Sequence, residues 1–134
     1  MKIKIVSSKE EIKTLKPSDK LVHLAFRPSN KDIFDMISLC SGLEAIHIPE
    51  SYRKTLSGSV LMLLSMQNVE LLVGDVWGHR KDIHEFFEIP KESLDLIREL
   101  KAHDTPANDI VSLVALNSKI SPDLARFLVG LKID

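Results

Sequence analysis

Leu43-Glu44-Ala45-Ile46-His47-Ile48-Pro49 and, further along, Val69-Glu70-Leu71-Leu72-Val73-Gly74-Asp75-Val76-Trp77 enclose the stretch whose reading decides the fold. The first segment is too short for a helix and is punctuated by Gly42 before it and Pro49 after it, so it reads as a strand. Between Ser51 and Asn68 the apolar residues Leu56, Val60, Leu63 and Leu64 recur at helical spacing. Leu61, Met62 and Met66 widen that stripe, which predicts one helix buried on more than one side. Val69 to Val73 shows no polar alternation, as expected of a strand covered on both faces of a parallel sheet. A parallel pair needs a crossover of a dozen or more residues, and the intervening helix supplies it.

The same unit recurs toward the N-terminus. Lys2 to Val6 alternates charged and apolar residues and reads as a strand, with its lysines suited to a sheet edge. Ser8-Lys9-Glu10-Glu11 has the form of a helix capping box, and Ser29-Asn30-Lys31-Asp32 repeats it with aspartate in the glutamate's place. Between them Leu21 to Phe26 is a second strand. Ser51 is expected to cap the central helix. Strands thus begin near residues 2, 21, 43 and 69. Leu21-x-x-Leu24-x-Phe26 and Leu43-x-x-Ile46-x-Ile48 also resemble the strand segments of leucine-rich repeats, which makes a solenoid the alternative to an open sheet.

Beyond Trp77 the pattern turns helical. Gly78 to Asp82 is polar, 83–87 reads as a short helical or irregular segment, and from Lys91 three amphipathic helices follow. Thr105-Pro106 and Ser121-Pro122 open the second and third of them. The predicted fold is α/β: a mainly parallel four-stranded sheet built from repeated strand-helix units (2–6, 21–26, 43–48, 69–76), with a C-terminal three-helix unit. Residues 1–90 form the sheet region and 91–134 the helical unit, packed with it as one domain.

Composition narrows the function classes. Eighteen Lys and Arg against nineteen Asp and Glu leave no global field to attract nucleic acid or an acidic membrane. One cysteine, Cys40, excludes an internal disulfide and a multi-cysteine zinc site, and suits a reducing compartment. No apolar run reaches the length of a membrane span, and the N-terminal residues lack a signal-peptide core, so a cytoplasmic protein is expected. No phosphate-cradling glycine loop and no H-E-x-x-H helix occur, and no metal or cofactor is expected.

What remains is positional. Ligands of open parallel sheets bind beyond the carboxyl ends of the strands. There the loops should gather Arg27, Ser29 and Asn30; Ser51 and Arg53; and Asp75, Trp77, His79 and Arg80. Three arginines and helix-capping serines would suit a small anionic ligand, with an aromatic ring stacked on Trp77. The leading expectation is a non-enzymatic ligand-binding or protein-interaction module using this edge. Two alternatives stay open. Leu113 to Leu128 resembles a helix-turn-helix, which would make a DNA-binding regulator, although residues 91–134 hold six basic and seven acidic side chains. An enzyme acting on a phosphorylated or carboxylated small molecule could use His79 oriented by Asp75. His23 and His47, inside apolar strands, read as packed or partner-facing histidines. The apolar content of the helices suggests a homodimer through them.

From Lys2-Ile3-Lys4-Ile5-Val6 through Leu43-Glu44-Ala45-Ile46-His47-Ile48-Pro49 to Val73-Gly74-Asp75-Val76-Trp77-Gly78-His79, the chain resembles a small archaeal family of conserved proteins, a domain of unknown function. That resemblance implies a cytoplasmic archaeal protein and carries over no catalytic or binding residue.

Overall fold

The computed structural model describes residues 2–76, 86–118 and 120–130. Five strands form one sheet in the order β4-β3-β2-β1-β5: β1 Lys2–Val6, β2 Leu21–Leu24, β3 Ala45–Ile48, β4 Glu70–Val73 and β5 Phe86–Glu88. The first four are parallel, and β5 runs antiparallel beside β1. Leu21–Leu24 and Ala45–Ile48 are buried at every position, which is why neither shows a polar alternation in sequence.

Parallel strands laid down in chain order, each joined by a right-handed crossover, place all their connections on one face. That face carries the 3-10 helix Lys9–Thr14 and the helices α1 Asn30–Leu39, α2 Glu50–Arg53 and α3 Gly58–Met66. Ile12, Ile33, Met36, Val60 and Leu64 from these elements pack against Val6, Val22, Leu24, Ile46 and Ile48 of the strands. The opposite face, with Ile3, Ile5, Leu21, Ala45 and Leu72, would be bare without the C-terminal helices. It is covered by α4 Lys91–Ala102, α5 Ala107–Ser118 and α6 Pro122–Gly130 through Ile97, Ile110, Val114, Leu124 and Leu128. A solenoid shares the sequential strands and one-sided crossovers, but here the second face is filled by helices.

Several expectations are corrected. The sheet has five strands where four were expected, because Phe86–Glu88 is extended and pairs with Lys2–Lys4. β1 is therefore interior, and Lys2 and Lys4 lie over the Phe86 ring at 5.6 and 4.9 Å. Residues 83–85 of the expected helical or irregular segment lie outside the described residues.

The single helix expected over 51–68 is two, α2 and α3. Ser57 ends the interruption by accepting the Val60 N–H at 3.2 Å and so capping α3. Ser51 is not a cap, since α2 starts at Glu50 behind Pro49. α3 buries one side only: Val60 and Leu64 face the sheet, whereas Met62 and Met66 are 66% and 72% exposed. A helix lying on the outer layer has nothing to cover its far side. At Ser8 the hydroxyl makes no cap, and the Glu11 carboxylate accepts from the Ser7 N–H instead.

Candidate functional site

The loops leaving β2, β3 and β4 meet at the carboxyl end of the parallel strands. Arg27 is exposed, its guanidinium 5.8 Å from the centre of the Tyr52 ring. Ser29 caps α1 in a complete capping box with Asp32, accepting from its N–H at 3.2 Å while Asp32 accepts from the Ser29 N–H at 2.8 Å. Asn30 Oδ1 accepts the Ser57 hydroxyl at 3.1 Å. Thus 27–30 and 52–57 are drawn together, with Ser51 and Arg53 exposed on α2 between them. Asp75 is 61% exposed after β4. Trp77, His79 and Arg80 lie outside the described residues.

Beneath this rim runs a buried chain of polar side chains. In parallel register Ile5, His23, His47 and Leu72 form one row across four strands, on the face that receives α4–α6. His23 and His47 are both buried and stand side by side, with their Nδ1 atoms 2.7 Å apart. His47 Nε2 lies 2.9 Å from the hydroxyl of buried Ser121, which also accepts the Leu124 N–H at 3.2 Å and so caps α6. At the other end His23 Nε2 lies 4.0 Å from Asp75 Oδ1.

Hydrogen-bond arithmetic favours one direction for this chain. Only one proton fits between two Nδ1 atoms at that distance. With Asp75 beyond His23 and an amide already donating to Ser121, one arrangement fits these partners best. Ser121 donates its hydroxyl proton to His47 Nε2, His47 Nδ1–H donates to His23 Nδ1, and His23 Nε2–H points toward Asp75. His47 is neutral in it. Burial, and next the neighbouring His23, push the His47 pKa down to about 3. The N-terminus of α6 acts in the same sense, since its dipole disfavours a cation.

Gly74 closes the site from above. Its φ of +148° is one that side chains rarely adopt, and a Cβ there would stand 2.2 Å from Ser121 Cβ and 3.1 Å from His47 Nε2. A serine hydroxyl against a histidine supported by a third group is the pattern of an activated nucleophile. Here, however, the hydroxyl is buried under Gly74, and His47 is far too weak a base at neutral pH. The chain ties α6 to the middle of the sheet. A further tie runs alongside, where Asp123 Oδ2 accepts the Val73 N–H at 2.9 Å. Among the described residues no group of three or more His, Cys, Asp or Glu could hold a metal ion.

Residues 2–85 match the model of the N-terminal domain of DUF1699, a family of unknown function. The chain belongs to the DUF1699 family. No curated protein and no solved structure matches it. The DUF1699 N-terminal segment contains β1 to β4 and with them His23, His47, Gly74 and Asp75, but not Ser121. Its buried histidine pair is therefore completed by a residue from outside the matched segment. The signal for that pair is present in the sequence, since His23 and His47 each occupy the third position of successive strands. Ser121, 74 residues from His47, carries only the signal of a helix cap. No helix among the described residues is long and apolar enough to cross a membrane.

Proposed function

We propose that this DUF1699 protein is a non-enzymatic binding module whose working surface is the carboxyl end of the parallel sheet, and that its ligand is a small anion. The observation that carries this reading is the pairing of the two loops. The exposed Arg27 guanidinium sits over Tyr52, and the Asn30–Ser57 hydrogen bond ties the start of α1 to the start of α3. Cationic and capping groups thus share one rim, where oxygens of a phosphate or carboxylate would accept charge-assisted hydrogen bonds. Arg27, Ser29, Asn30, Ser51 and Arg53 are its proposed contacts, with Asp75, Trp77, His79 and Arg80, which follow β4 in the chain. Binding is favoured over catalysis because the acid-base groups beneath are spent on one another and on Ser121. DNA reading is disfavoured because α6 buries Leu124, Ala125, Phe127, Leu128 and Val129.

A thermal-shift screen of nucleotides, sugar phosphates and carboxylates at fixed ionic strength tests this. A ligand at 100 times its dissociation constant adds about 2.7 kcal/mol, a rise of several degrees. Arg27→Ala and Arg53→Ala should each shrink the rise. If no anion raises the melting temperature, or both variants respond as strongly as the parent, the rim is only solvated surface.

The same reading includes a homodimer through the helical third, favoured by Leu116, which stands 78% exposed on α5. Leu116→Glu should then leave a monomer in light scattering at concentrations where the parent is dimeric. A monomeric parent at high concentration would remove the dimer.

A further inference from the structure

Three cations on the helices of this protein are paired where they stand. Lys31, Arg98 and Arg126 each meet an aspartate of their own helix, at 2.9, 3.1 and 3.4 Å. Arg27 and Arg53 of the rim are both exposed, and neither has a carboxylate partner among the described residues. Arg27 rests instead on an aromatic ring, with its guanidinium carbon 5.8 Å from the centre of Tyr52. That is close to the outer limit of about 6 Å for such a contact, and at an exposed site the attraction is weak.

Tyr52 is half-buried, because it also packs on the cluster formed by the strands with α1 and α3. The guanidinium thus shields part of the ring that the core leaves over. On the same rim Asn30 Oδ1 takes the Ser57 hydroxyl, which leaves the two Nδ2–H donors of that amide unused. An anion arriving here draws Arg27 to itself, since a charge-assisted hydrogen bond to a phosphate oxygen is stronger than an exposed cation–π contact. The Tyr52 ring is then uncovered. An anion that carries a planar ring can cover it again by stacking where the guanidinium lay, whereas inorganic phosphate or a sugar phosphate has nothing to stack.

We propose, resting on the anion-binding reading of the rim, that the anion is a nucleotide: its phosphate engages Arg27, and its base replaces the Arg27 guanidinium on Tyr52. Arg27 then has two positions, over the ring when the rim is empty and on the phosphate when it is filled. Asn30 and Arg53 supply further donors to the phosphate oxygens. Every base has a face to stack, so Tyr52 selects for the presence of a base and discriminates little among bases.

The test is isothermal titration calorimetry at fixed ionic strength with adenosine monophosphate, ribose 5-phosphate and adenosine. The monophosphate should bind about tenfold more tightly than ribose 5-phosphate, the gain from stacking one base on an aromatic ring. Adenosine, which has the base and no phosphate, should be weaker than the monophosphate by about tenfold or more. Tyr52→Leu should bring the monophosphate down to the level of ribose 5-phosphate, and Tyr52→Phe should keep the parent's preference. Arg27→Ala should weaken both phosphates. Equal binding of the monophosphate and ribose 5-phosphate by the parent overturns the nucleotide and leaves the anion rim standing, a result that does not depend on how Tyr52→Leu folds. Adenosine bound as tightly as the monophosphate overturns it as well, and so does a preference that survives in Tyr52→Leu, because the base is then stacked elsewhere. Binding of neither phosphate removes the anion rim itself, and the nucleotide with it.

Discussion

Acidification is expected to unfold this protein through His47. In the unfolded chain the imidazole titrates near its ordinary 6.5, whereas in the fold burial and His23 hold it down to about 3. Between those values the unfolded state carries the extra proton, so stability is fully present above pH 6.5 and falls as the pH drops toward 3. One proton corresponds to about 1.4 kcal/mol per pH unit. Structure gives the same sign, because His47 is fully buried and hydrogen-bonded at the N-terminal end of α6, so charging it places a cation out of water against the positive end of that helix dipole. Urea titrations at several pH values on the parent and on His47→Gln check this. The variant should lose about one proton's worth of slope relative to the parent. Ser121→Ala, which removes the hydrogen-bond partner but not the titrating group, should keep the slope and lower stability by about 1–3 kcal/mol. Identical slopes in the parent and His47→Gln would show that the acid sensitivity comes from other groups.

Gly74→Ala is expected to be the most damaging single-methyl change in the described structure. The new Cβ meets Ser121 Cβ at 2.2 Å and Ser121 Oγ at 2.6 Å, on a backbone whose φ of +148° already disfavours a side chain. Relief requires moving the start of α6 away from β3, which stretches the His47–Ser121 bond and the Asp123 contact to Val73 together. Backbone strain and overpacking each cost about 1–3 kcal/mol, so a loss on the order of 4 kcal/mol is expected, a large share of the stability of a domain this size. Gly58→Ala is the control, since a Cβ there meets nothing within 4 Å. Denaturant midpoints decide the matter. A Gly74→Ala loss no larger than that of the control would mean that α6 is not held against β3 as described.

The local elements of this fold are written in the chain. The apolar runs around His23 and His47 specify buried parallel strands, because a strand covered on both faces has no reason to alternate. The Ser29 capping box and the Ser121 cap are decided by side chains within three residues of the backbone they bind. Phe86–Glu88 carries no such signal, since three residues become a strand only because β1 offers an edge. The split of 51–68 into α2 and α3, and the exposure of Met62 and Met66, likewise depend on which surface the sheet presents rather than on helical spacing. The histidine pair is an intermediate case. Equal positions in successive strands make the contact legible once the register is known, but register is a property of the sheet. The partnership of His47 with Ser121, and the seal of Gly74 above both, were decided by tertiary structure alone. Sequential strands crowd their connections onto one face, and burying the other requires the distant helices to return across it.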